Sequence, residues 1–346
     1  MHHDNTHTVP SMEADTKTVR RVLQLCAVFF FISSIFFIGL KRTDWFPWVG
    51  DCYPNAKANH FLAYCHTVRF GDYEHYAYYH ESEPQAVAQV KAADVVFLGS
   101  SNTQFAFSTS AVTDFFKEQS ISHYVLGFGH GAQSGVAKAV ASKLQLKPAL
   151  WVVNADPFFT GEMNATFERI HQPDSQSILP AWLQTNIHGE HTRKRWLQAE
   201  QRRQCNSSDA SALWCSGAAD TLHRNILNGH WTVENYRENL ERPVGLDNAS
   251  YVDNLASYSN HAQRFIEELG IDPACLIITA TPRTDTPESY ARQLAEQIGS
   301  PFVAPSLDGL KTIDDFHLDP ESAQRWSAAF LSELSPHLST CLDATN

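Results

Sequence analysis

Two short segments, far apart in the chain, hold side chains that together can activate a nucleophile. Gly99-Ser100-Ser101-Asn102 follows an apolar run, and Asp314-Asp315-Phe316-His317 comes late. A serine hydroxyl is a weak nucleophile until a base takes its proton, and the base must be oriented and its cation stabilised by a third group. An acid three positions before a histidine can do this from one turn. The carboxylate holds one ring nitrogen while the other faces a serine elsewhere. Two more loops carry glycines or polar groups: Gly127-Phe-Gly-His-Gly131 and Asn154-Ala-Asp156-Pro157.

These segments need a scaffold that brings distant loops together. In an open parallel sheet, reactive groups collect at the carboxyl ends of the strands. Asp94 to Gly99 is an apolar run closed by glycine, the pattern of a strand buried on both faces. The pattern predicts a helix over 109–118, a strand over 123–126, a helix over 133–144 and a strand over 149–153. Apolar residues recur at helical spacing from Val252 through Ile266 and stop at Gly270. Cys275 to Thr279 reads as a fourth buried strand and Phe302-Val303 as a short fifth. Ala323, Trp326, Phe330 and Leu334 line a last helix. This alternation predicts an α/β domain with a parallel sheet covered by helices on both sides.

Other stretches lie outside that alternation. Residues 1–21 are polar and read as a disordered tail. Val22 to Leu40 carries no charge, and as a helix at about 1.5 Å per residue it spans roughly 28 Å, the length of a transmembrane helix. Lys41, Arg42, Trp45, Phe46 and Trp48 follow it without a small-x-small cleavage site, which favours an anchor over a cleaved signal. Residues 41–90 form an aromatic-rich lead-in to a domain expected over 91–346. Residues 160–250, with four tryptophans and no clean period, read as an insertion. Cys26 falls in the apolar span and leaves six cysteines that can pair in an oxidising compartment. Close spacing suggests Cys52 with Cys65 and Cys205 with Cys215, leaving Cys275 with Cys341, among about 15 connectivities open to six cysteines. The domain is therefore expected outside the cytoplasm, with the N-terminus cytoplasmic.

Charge excludes one class of partner. The net charge of -12 falls almost wholly after residue 40, a surface that repels phosphate backbones, and no basic stripe with interleaved aromatics offsets it. Nucleic acid is not expected to bind.

The order of a G-x-S loop, a glycine loop, a polar loop and a late D-x-x-H resembles the SGNH or GDSL hydrolase superfamily, over residues 94 to about 330. Its details look closest to the membrane-anchored, envelope-facing acyltransferase and esterase branches. The resemblance implies a three-layer α/β/α, flavodoxin-like domain, with Ser101 as nucleophile, His317 as general base and Asp314 as the triad acid. It also implies an oxyanion hole from the backbone N–H groups of Ser101 and Gly131, with a third donor from Asn154 or Asp156. Two departures stand out. The usual G-D-S is G-S-S here, a variant associated with the acyl-transfer branches. The usual G-x-N-D loop reads Asn154-Ala-Asp156-Pro157, and an ionised Asp156 cannot donate.

The expected activity is hydrolysis or transfer of an acyl group, acetyl foremost, on an extracytoplasmic glycan through an acyl-serine. Acylated carbohydrate or another ester is the expected substrate, and the membrane and a membrane acyl-donor protein are the expected partners. A non-catalytic assembly protein on the same fold is the alternative. No cofactor or metal is expected: glycines 127, 129 and 131 do not have the G-x-G-x-x-G spacing of a dinucleotide loop, and His188 with His191 lacks a third ligand at zinc-site spacing.

Overall fold

The computed structural model describes residues 16–42, 59–65, 73–129, 133–161, 221–234, 242–245 and 249–345. The chain forms two units, 1–50 and 51–346. In the first, α1 (Thr16–Arg42) runs unbroken through the apolar stretch, with side chains described over 19–34 and Phe29, Phe30 and Phe31 exposed. Among the described residues no helix is long and apolar enough to cross a membrane.

The second unit is built on a parallel sheet of β2 (Val95–Gly99), β3 (His123–Gly127), β4 (Leu150–Asn154) and β8 (Leu276–Thr279), in the spatial order β3-β2-β4-β8. The chain moves one way from β2 to β3, then crosses back to β4, so the loops after β2 and β4 flank the point where the winding reverses. Crevices for ligands open at such points in open α/β sheets. Phe302 adds a single parallel bridge to Ile278, so the expected fifth strand is reduced to one pair.

Both sheet faces are buried, as the continuous apolar runs require. Val96, Leu98, Leu126, Val153 and Ile278 point into one core, with α3 (Pro84–Lys91), α6 (Ser134–Leu144), α7 (Leu255–Leu269) and α8 (Glu288–Ile298). Val95, Phe97, Val125, Val152 and Ile277 point into the other, against α5 (Ser110–Gln119) and α9 (Pro320–Thr345). Ala323, Trp326, Phe330 and Leu334 of α9 are all buried there, at the i, i+3/i+4 spacing of one helical face. A disulfide joins Cys275, just before β8, to Cys341 near the end of α9. Cys52, Cys205 and Cys215 lie outside the described residues, and the side chain of Cys65 is likewise not described.

Two elements were not legible as periods. Immediately after Ser100, α4 (Ser101–Phe107) buries the polar Asn102, Thr103 and Gln104 in its first turn and only Ala106 and Phe107 as apolar residues, so it gives no apolar repeat. Within the stretch expected to be an insertion, β5 (Thr221–Asn225) and β6 (Trp231–Glu234) form an antiparallel hairpin. It pairs with β1 (His60–Cys65) from the lead-in in a separate three-stranded sheet. Helix α2 (Tyr73–Tyr79) follows β1 and packs Ala77 and Tyr78 into the core shared with α6.

Candidate active site

Ser101 opens α4 directly beyond the carboxyl end of β2. Gly99 allows the sharp exit, because a Cβ there would overlap Thr103 Oγ1. Ser100 caps the helix by accepting from Asn102 N at 3.2 Å, a bond that satisfies one of the orphan N–H groups of a first turn.

The base arrives on a loop that folds onto itself between α9 and β9 (Lys311–Thr312), which pairs antiparallel with β7 (Arg242–Pro243). Asp314 Oδ1 accepts from the backbone N–H of His317 at 2.9 Å and of Phe316 at 3.2 Å, which closes the turn. Its other oxygen, Oδ2, lies 2.7 Å from His317 Nδ1. One carboxylate therefore shapes the loop and aligns the ring. His317 Nε2 then lies 2.8 Å from Ser101 Oγ. Phe105, one turn along α4, stacks on the imidazole at 4.2 Å between centroids and fixes its plane from the other side. Asp314 is not a helix cap: that position belongs to Asp319, which accepts from Ser322 N at 2.7 Å. Asp315, in the left-handed region at φ 75°, ties the loop outward through an ion pair with Arg242 at 2.8 Å and a bond from Thr284 N to its carbonyl at 3.0 Å.

The structure thus joins Ser101, His317 and Asp314 in one hydrogen-bonded line, half-buried and open to solvent on one side. His317 has 16% and Asp314 30% of its side chain exposed. Nucleophile and base within hydrogen-bond reach, with the base oriented by a third group, is the arrangement that general-base activation of a hydroxyl requires.

The residues of the third loop do something other than donate to an oxyanion. Asn154 is fully buried: its Nδ2 donates to Thr281 Oγ1 at 3.0 Å and its Oδ1 accepts from Thr281 N at 3.1 Å, which pins the ends of β4 and β8 together. Asp156 serves as acceptor in each of its contacts. It pairs with Arg283 Nη1 at 2.5 Å and also accepts from Asn102 Nδ2 and Ser100 Oγ. Burial pushes its carboxyl above the usual range, and the nearby charges of Arg283 and then His317 pull it back. Asn102, the residue after the nucleophile, is thereby tied to the third loop. The residue expected to line the oxyanion hole from the glycine loop, Gly131, lies outside the described residues.

The preceding part of that loop is described and closely held. Gly127 runs so near α4 that a Cβ would come within 2.7 Å of Ser100 O and 3.0 Å of Gln104 Cγ, and Phe128 N donates to Gly99 O at 3.0 Å. Glu74, Gln104 and Arg224 contact this loop and were not singled out in the sequence. Gln104 carries one signal, lying three positions after Ser101 on the same helix. Arg224 and Glu74 carry none, because they meet only through the β1-β5-β6 sheet.

Among the described residues no group of three or more histidine, cysteine, aspartate or glutamate side chains is arranged to hold a metal ion. His188 and His191 lie outside the described residues. No family model, curated protein or solved structure matches this chain.

Proposed function

We propose that this protein is a serine esterase or O-acyltransferase acting on acyl esters of an extracytoplasmic glycan. The observation that carries the reading is the Ser101–His317–Asp314 line, at 2.8 and 2.7 Å between partners. Ser101 Oγ adds to the ester carbonyl carbon as its proton passes to His317 Nε2. Collapse of the tetrahedral intermediate breaks the bond to the alcohol oxygen, which takes the proton from Nε2 and leaves the acyl group on Ser101. Water or a sugar hydroxyl then gives its proton to Nε2, attacks the acyl carbon and frees the serine. Asp314 keeps the imidazole in the tautomer that accepts at Nε2 and stabilises its cation.

The resemblance to the SGNH superfamily supports the same reading. The four-strand order has the first parallel strand beside the second and third, as a flavodoxin-like sheet does, with helices on both faces. Backbone N–H groups of Ser101 and Gly131 are the oxyanion donors that resemblance implies. The Cys275–Cys341 disulfide favours an oxidising compartment for the domain, while a membrane anchor over Val22 to Leu40 rests on the sequence alone.

A second reading has one observation in its favour. Of the two residues the resemblance offers as third donor, Asn154 gives its Nδ2 to Thr281 and Asp156 only accepts, and loss of one oxyanion donor typically costs about 10²–10³ in rate. A protein that keeps the fold for assembly or binding would tolerate this. A fluorophosphonate probe separates the two. Covalent labelling of the full chain that disappears in Ser101→Ala is expected, whereas folded wild-type protein that takes up no label would support the assembly role.

A further inference from the structure

A charged pair sealed beneath the glycine loop extends the site well beyond the triad. Glu74 on α2 and Arg224 on β5 both have fully buried side chains and meet at 2.7 Å. Arg224 Nε donates to the same oxygen, Glu74 Oε2, at 3.0 Å, and so does Trp231 Nε1. Apart from a bond from Arg224 Nη1 to Gly229 O at 3.2 Å in the β5–β6 turn, the remaining capacity of both groups is turned on the backbone at the end of β3 and just after it. Arg224 Nη1 donates to Val125 O at 2.6 Å and Nη2 to Gly127 O, while Glu74 Oε1 accepts from Gly129 N at 3.2 Å. Tyr78, Trp231 and Phe128 surround the guanidinium at 5.5–5.9 Å and exclude water from it.

The nucleophile helix holds the same two carbonyls. Gln104 Nε2 donates to Val125 O and to Gly127 O, each at 3.0 Å. Its Oε1 accepts from Ser108 Oγ, which in turn accepts from Trp231 N at 2.8 Å. The bonds therefore run in a closed circuit from α4 through the glycine loop to Arg224 and Glu74, then by β6 back to α4. Gly129 N is engaged by Glu74 and Phe128 N by Gly99 O, so both described N–H groups after β3 are spent on fixing the loop.

We propose that Glu74, Arg224 and Gln104 are positioning residues of the same site, holding the end of β3 and the start of the glycine loop in fixed register with the helix that carries Ser101. This rests on the catalytic reading above. The physical motive is that a buried ion pair is a poor source of stability: replacing both partners with apolar groups of similar volume is often neutral or stabilising. A segment packed against the nucleophile helix gains from such a rigid clamp, since a displacement of about 1 Å at a catalytic site can cost about 10² in rate.

The test uses the full chain with p-nitrophenyl acetate, alongside fluorophosphonate labelling and thermal unfolding. Glu74→Gln and the double variant Glu74→Leu/Arg224→Leu are each expected to lower kcat about 10- to 100-fold with KM little changed. The double variant is expected to melt somewhat below wild type, because Trp231 Nε1 and Gly129 N lose their acceptor, and its kcat is read at a temperature where it is folded. Gln104→Met, which exposes no buried charge, is expected to lower kcat in the same sense and serves if the other variants do not fold. Wild-type protein that neither labels nor turns over would remove the catalytic reading itself. If wild type does both, folded variants with unchanged kcat would overturn the positioning role alone.

Discussion

Two loops border the helix that carries Ser101, and they are stabilised in opposite ways. The base loop is shaped chiefly from within: Asp314 closes its own turn with one oxygen and aligns His317 with the other, while Arg242 and Thr284 tie down only Asp315 from outside. The glycine loop after β3 is held almost wholly from outside, by Gln104 on α4, Glu74 on α2 and Arg224 on β5. A local device survives changes elsewhere in the molecule. A remote one is only as firm as the elements that carry its parts, and the glycine loop depends on the lead-in and on the hairpin of the supposed insertion.

The sharpest way to break this comparison is Asp314→Asn. The amide oxygen can still accept from the N–H of Phe316 and His317, so the turn and the Tm should persist, but the side-chain nitrogen now faces Nδ1 and favours the wrong tautomer. A fall in kcat of about 10⁴-fold is expected. Near-wild-type turnover in steady-state kinetics would separate the base loop from the chemistry.

Arg283→Met probes the loop between the two. It strips the buried Asp156 carboxylate of its closest cation, and removing one partner of a buried pair costs about 3–5 kcal/mol. Urea unfolding is expected to show a loss in that range. A loss below about 1 kcal/mol would mean that Asn102 and Ser100 suffice to hold Asp156 in place.

The smallest effect concerns acid. His123 on β3 and His230 beside β6 meet at 3.2 Å between Nε2 atoms, next to the carbonyls that Arg224 holds. Burial pushes His123 down from 6.5 to about 4, and His230 is lowered too, by burial first and then by His123 and Arg224. A lowered imidazole favours the folded state only while neutral. Its contribution is complete above pH 6.5 and is lost as the pH falls toward 4, by up to about 3 kcal/mol for His123. Urea midpoints measured from pH 7 to 4 should therefore fall steeply in wild type and less so in His123→Gln. Equal slopes would remove the pair as the acid-sensitive support of the hairpin.

These contrasts also explain what could be read before the fold was known. The strands at 95–99, 123–127, 150–154 and 276–279 were legible because strands buried on both faces must be continuously apolar. The base loop was legible because its partners are three residues apart. Helix α4 was hidden, since it is only seven residues long and its buried first turn of Asn102, Thr103 and Gln104 is polar, leaving Ala106 and Phe107 alone to face the core. The hairpin at 221–234 was hidden because its pairing partner lies in the lead-in, and a segment whose neighbours are distant shows no period of its own.

By itself the sequence determined the layered α/β character, the chain order of the reactive loops and the Asp314–His317 turn, all consequences of apolar periodicity or of contacts within a few residues. Only the tertiary structure decided that Ser101 stands 2.8 Å from His317, that Asp156 is paired to Arg283, and that Glu74 and Arg224 clamp the glycine loop. The reason is physical. Such contacts join elements far apart in the chain, and their geometry follows from how the packed layers bring strand ends together, which no local pattern of residues encodes.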